Sequence, residues 1–228
     1  MIWLGIDTSH TPLAVAIVKD GQVLAEYKSS VKVTHSIGTM PAIEELMKKA
    51  NIKPSELNAI AVAKGPGSYT GVRIGVTIGK TLAWTLNLPI YSVSSLQVLA
   101  ANAPYFQGAV CSIMDARRGN VFAGIYVNGE TVKEAHMSMV DLLALLDEME
   151  QPVIFVGMDV NLHWEQINEV LGDKVKQAGA AFSLPSAAVL IEIAQSMEPT
   201  NVHTAVPEYL RITEAEANWM KEQKKNGN

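Results

Sequence analysis

The chain has 228 residues, 48% of them hydrophobic, which suffices for one large domain or two small ones around a sizeable core. A formal net charge of -5 argues against a general polyanion-binding surface, although Arg117-Arg118 is a local pair able to touch a phosphate. The single Cys111 rules out an intrachain disulfide and any multi-cysteine zinc site, and no apolar stretch reaches the roughly 18 residues a bilayer demands, so the cytoplasm is the expected compartment.

Residues 2–9, Ile-Trp-Leu-Gly-Ile-Asp-Thr-Ser, read as a buried strand entering a polar loop. Strands at 13–18 and 23–27 follow in a meander, with Asp20-Gly21 suited to the tight reversal between them. Over 36–50, Met40, Ile43, Met47 and Ala50 recur at helical spacing, which predicts an amphipathic helix. A helical turn at 54–57 and a buried strand at 59–63 lead to a glycine-rich loop at 64–71. A long helix over 72–86 then ends at Asn87 and Pro89.

A second block repeats this layout. A strand at 90–93 and a helix near 95–101 precede a hairpin, with strands at 109–114 and 121–127 around the turn 117–120. Helices at 139–149, 161–171 and 186–197 follow, with strands at 153–156 and near 174–177. A boundary within 103–108 divides the chain into an N-terminal lobe (1–103), a C-terminal lobe (104–217) and a polar, frayed tail (218–228).

Residues 75–81, Gly-Val-Thr-Ile-Gly-Lys-Thr, imitate a P-loop but fail its spacing. Four residues must separate the first glycine from Gly-Lys-Thr so that backbone N–H groups can wrap a phosphate; here only three do, and Ile74 stands where the glycine belongs. Gly71, Gly75, Gly79 and Ala83 instead fall four apart, along one helical stripe. Glycine inside a helix costs up to about 1 kcal/mol relative to alanine, so a close-packed neighbour is implied. That neighbour is either another part of this chain or a helix of another subunit. Ser68 between glycines does not make a nucleophile elbow, because Pro66 and Thr70 occupy the required glycine positions.

Three strings taken together are similar to one family. KGPGSYTGVRIG at 64–75, LGIDTS at 4–9 and PEYLR at 207–211 resemble the bacterial tRNA threonylcarbamoyladenosine biosynthesis family TsaB, also called YeaZ, over residues 2 to about 219. The resemblance implies an α/β, actin-like or Hsp70-like ATPase fold (ASKHA, ribonuclease H-like) with two related lobes. It implies a partner subunit with no catalytic residue of its own. Such a subunit binds TsaD, joins an assembly with the ATPase TsaE, and supports threonylcarbamoyl transfer to N6 of adenosine 37 in tRNAs reading ANN codons. On the same implication tRNA is met through the complex, no cofactor is held firmly, and ATP and metal reside on partner subunits. Alone, the chain is expected to form a homodimer.

The residues expected to serve these roles follow from the matched strings. The partner or dimer interface is assigned to Met40, Ile43 and Met47 of one helix and Gly71, Gly75, Ile78, Gly79, Leu82 and Ala83 of the other. Asp7, Thr8, Ser9 and Gly157 form a vestigial nucleotide-binding set, and Gly65, Pro66, Gly67, Ser68, Thr70 and Arg73 make the glycine loop. Gly157 opens a turn in which Asp159 or Asn161 is the expected helix cap. No metal is expected: TsaD carries a His-x-x-x-His pair, and the corresponding positions here are Ser95 and Leu99. His10, His35, His136, His163 and His203 read as surface or packing residues. The competing reading is a stand-alone ATPase or small-molecule kinase using Asp7, Thr8 and the glycine loop.

Overall fold

The computed structural model describes residues 1–31 and 34–210, so Arg211 of the PEYLR string and the tail expected at 218–228 lie outside the described residues. In the first sheet, β1 (Ile2–Asp7), β2 (Leu13–Lys19) and β3 (Gln22–Ser29) form the antiparallel meander, while β4 (Ala59–Gly65) and β5 (Ile90–Ser94) add in parallel, giving the order β3-β2-β1-β4-β5. The second sheet is built from β6 (Ala109–Asp115), β7 (Asn120–Val127), β8 (Glu130–Ser138), β9 (Val153–Val156) and β10 (Val175–Gln177). Its order read from β8 is β8-β7-β6-β9-β10, the same connectivity as the first sheet.

One strand was absent from the reading of the sequence. β8 carries Glu130, Lys133 and Glu134 and begins with four exposed residues, so it lacks the apolar alternation that marks a strand. Its charges suit the edge of a sheet, where they discourage pairing with another chain.

The helices α1 (His35–Ala50), α2 (Tyr69–Leu86), α3 (Ser95–Ala100), α4 (Met139–Asp147), α5 (Val160–Leu171) and α6 (Ala187–Ala194) complete five layers. Helices α1 and α2 cover the outer face of the first sheet, and α4 and α5 cover the outer face of the second; α3 and α6 lie between the sheets. Strand alternation explains the layering. Leu4, Ile6, Ile60 and Val62 point toward α1 and α2, whereas Gly5, Ala14, Ala16, Ala59 and Ala61 face α6. A Cβ on Gly5 would clash with the Ala187 carbonyl, so this small-residue face lets α6 sit close to the sheet.

The lobes exchange elements across the expected 103–108 boundary. Helix α3, from the first half, packs on the second sheet through Leu96 and Leu99 against Met114 and Tyr126. Helix α6 and the segment 200–210, from the second half, return to the first sheet, where Thr200 bridges Ile90. Hydrophobic clustering decides membership here, and sequence order does not.

The glycine stripe packs inside the chain, the intrachain one of the two neighbours its spacing left open. Gly71, Gly75, Gly79 and Ala83 are all buried. A Cβ on Gly71 or Gly75 would overlap Thr8, and one on Gly79 would overlap Val62 Cγ1. The close neighbours of α2 are therefore the turn after β1 and the body of β4. Ile43 and Met47 are likewise core residues, buried against the first sheet, because α1 turns that face inward. Of the assigned set, Met40 is exposed, and Ile78 and Leu82 are half-buried at the surface.

Candidate functional site

The first candidate is the position where a nucleotide phosphate would sit after β1. Thr8 Oγ1 donates to the Gly71 carbonyl at 2.7 Å, and the Ser68 N–H donates to the Ser9 carbonyl at 2.6 Å. Gly67 and Gly71 let the glycine loop lie directly on the backbone of Ser9 and Thr8; a Cβ at either would collide with it. Ser68 caps α2, accepting the Gly71 N–H at 3.2 Å, so its hydroxyl is spent on the helix start. Gly65 and Pro66 belong to the same packing, since Pro66 is buried and a Cβ on Gly65 would meet the Glu208 carbonyl.

Asp7, Thr8 and Ser9 are consequently buried with no surface left for a ligand. Asp7 Oδ1 accepts the Ser9 N–H at 2.8 Å, while Oδ2 has no partner. Burial raises the Asp7 carboxyl above the ordinary carboxylate range, against the opposing pull of the Ser9 hydrogen bonds. Gly157 is also buried, and a Cβ there would strike the Ile113 carbonyl, so its openness serves strand packing. In this arrangement the four residues present no exposed surface to a nucleotide. Among the described residues no cluster of three potential metal ligands occurs, and Ser95 and Leu99 are both buried.

Lys80, the lysine of the false P-loop, has a structural task. Its Nζ donates to the carbonyls of His203 at 2.9 Å and Ala205 at 3.2 Å, tying the segment 200–210 along α2. Further along, Lys64 Nζ pairs with Glu208 at 2.6 Å, and Arg73 Nε donates to Tyr209 at 2.7 Å while its guanidinium lies 4.0 Å over the Tyr69 ring. The PEYLR string thus clamps the glycine loop from outside, through contacts no local pattern could announce.

The second candidate is an apolar groove of about 710 Å³ between α1 and α2. Met40, Ile43 and Met47 line it from α1, Leu82 and Leu86 from α2, and Ile52 and Leu57 close its floor. Beyond its rim stands Ile37, 72% exposed, a large apolar side chain that extends the groove as unpartnered surface. Trp84, 69% exposed, lies on another side of α2, beside Thr77, Lys80 and the segment 202–207. Of the predicted interface residues, the groove gathers Met40, Ile43, Met47 and Leu82; the glycines point away from it.

The third is the cleft between the lobes, of about 1050 Å³. Asp159 stands at the N-cap of α5, as expected, but its side chain gives the helix no capping hydrogen bond; its Oδ2 instead lies 2.7 Å from His10 Nε2 and accepts the Asp115 N–H at 2.7 Å. Burial alone would raise its pKa, but the His10 contact and the Asp115 N–H outweigh that and hold the carboxyl below its ordinary value. His163 Nε2 stands 3.3 Å from Asp115. His10 and Asp159 are 149 positions apart, so nothing in their sequence spacing could pair them.

Two sheets of identical connectivity, five layers and a cleft between lobes define the class: a two-lobed actin-like, ASKHA-type α/β protein. The family model described as TsaD, tRNA N6-adenosine threonylcarbamoyltransferase, matches residues 22–219. The tRNA threonylcarbamoyladenosine biosynthesis protein TsaB of Bacillus subtilis (strain 168) is 45% identical over 229 residues, covering 98% of this chain and 100% of that protein. TsaB of Escherichia coli (strain K12) is 35% identical over 129 residues, 56% of this chain and 55% of that one. Among solved structures, YeaZ from Pseudomonas aeruginosa superposes with a TM-score of 0.76 at 26% identity, covering 92% of this chain and 99% of that chain. The chain belongs to the TsaB family.

Proposed function

We propose that this chain is a non-catalytic partner subunit in the formation of threonylcarbamoyladenosine in tRNA, working beside a TsaD-type transferase. The single observation carrying this reading is the covered turn after β1: Thr8 and Ser9 lie under the chain's own glycine loop, where the competing ATPase reading would need an open site. The stand-alone ATPase or kinase reading is disfavoured by the same contacts. What remains open is the α1/α2 groove, and a family model named for TsaD matching most of this chain supports a partner of common fold. In this reading the helices of TsaD seat on that groove, with Met40 and Leu82 on its walls, to support transfer of the threonylcarbamoyl group to adenosine 37. ATP and metal belong to partner subunits, TsaE joins the assembly, tRNA is met through the complex, and the setting is the cytoplasm. Without TsaD, a two-fold pairing of the same face gives a homodimer.

The test is light scattering with size exclusion of the chain alone and mixed with TsaD, followed by a tRNA modification assay of each combination. The expected outcome is an inactive chain that self-associates, binds TsaD and is needed for modification by the mixture. A monomer that ignores TsaD and hydrolyses ATP by itself would overturn the reading.

A further inference from the structure

The cleft and the groove are joined by one line of polar contacts. Asp159, at the β9–α5 turn of the second lobe, meets His10 in the β1–β2 loop of the first; their side chains are only 16% and 20% exposed. The carboxylate is steadied from its own lobe by the Asp115 N–H. The backbone of His10 continues the line, for its carbonyl accepts from His35 Nε2 at 2.8 Å. His35 is the first residue of α1, and its carbonyl in turn accepts the Thr39 hydroxyl at 2.7 Å. Thr34, the N-cap, makes no side-chain cap, so the His35 contact takes the place of a cap in anchoring this helix start.

We propose that His10, Asp159 and His35 form a latch between the lobes that sets the placement of α1, so that the state of the cleft is felt at the groove. The groups facing the latch fit that role. Asp7 is fully buried and electrostatically favourable to both His10 and His35; on the second-lobe side Asp115 pairs with His163, which also favours the Asp159 carboxylate. The first turn of α1 has no other described side-chain hydrogen bond to the rest of the chain, whereas the turns beyond it are held by Ile43 and Leu46 in the core. Releasing His10 therefore loosens the start of α1 and leaves its middle in place. Because Met40 follows this first turn and lines the groove, the groove's outer wall shifts with it.

Amide hydrogen exchange tests the latch in the full chain, using Asp159→Ala, His10→Ala and the double variant. Among the described contacts Asp159 makes none with α1, yet its substitution is expected to speed exchange at Gly38 and Thr39 on the order of tenfold, the loss of one charge-assisted hydrogen bond. Leu4 and Ile60, in the first sheet, should exchange as before. The double variant should be no faster at α1 than the faster single variant, because both break one link. Faster exchange confined to the β9–α5 turn, with α1 unchanged, would overturn the proposal. Lost protection at Leu4 and Ile60 in either variant would overturn it too, by making the pair a general support of the fold.

Discussion

The two faces of α2 answer to opposite demands. Its inner face presents Gly71, Gly75, Gly79 and Ala83, one small residue per turn, and β1 and β4 lie against it with no gap for a side chain. Its outer face presents Thr77, Thr81 and Trp84, which the described chain leaves exposed. A row of small residues states that something approaches closely, without saying what. The answer lies in the strand beneath: Ile60 and Val62 supply the bulk that the helix omits. On this helix the small residues mark internal packing, and the large exposed side chain, Trp84, stands away from them.

The comparison can be broken most directly with Gly79→Arg. Arginine has no space against Val62 and Ile60, so the variant is expected to lose its cooperative thermal transition and its solubility. A folded Gly79→Arg that merely fails to bind a partner would return the stripe to the interface. The exposed apolar side chains are probed by Met40→Glu on α1 combined with Trp84→Glu on the outer face of α2. Affinity for TsaD, or self-association in sedimentation experiments, should fall at least tenfold, with monomer stability within about 0.5 kcal/mol of the parent. An unfolded double variant would mean that the outer face is also core.

A smaller effect comes from beneath the inner face. Asp7 is buried with Oδ2 unpartnered, and its folded-state pKa lies above its unfolded value. Its contribution is therefore intact below the unfolded value and lost as pH rises through the folded one. Asp7→Asn should raise the melting temperature at pH 7 by on the order of 5 °C, and the gain should vanish on acidification below the ordinary carboxylate range. A pH-independent gain would refute the charge argument. The smallest effect is expected from Ser68→Ala, which removes the α2 cap and should cost about 1 kcal/mol in denaturant unfolding.

Legibility in the sequence followed the physics of each element. β1, β2, β4 and β6 were readable because apolar runs bounded by turns report burial directly, and α2 because Asn87 and Pro89 end it. β8 was invisible because an edge strand is charged where a central one is apolar. The glycine loop was read as a likeness to a family, yet its use as a plug over Thr8 and Ser9 depends on contacts more than fifty residues apart. The same limit hid His10 from Asp159, and Lys80 from the carbonyls it holds. The groove was half readable: the period of Met40, Ile43 and Met47 marks an apolar face, but only the packing separates the buried pair from the exposed member.

The return of α6 and residues 200–210 to the first sheet bears on how the ribosome delivers this protein. The second sheet with α3, α4 and α5 is complete once the chain has been made from 95 to 177. The first sheet must wait for Ala187 to reach Gly5, for Thr200 to reach Ile90 and for Glu208 to reach Lys64. Translation runs from the N-terminus, and domains normally close in that order. Here the lobe synthesised first is the lobe finished last, and a message cut short before codon 187 would yield a chain whose opening strands never acquire their inner cover.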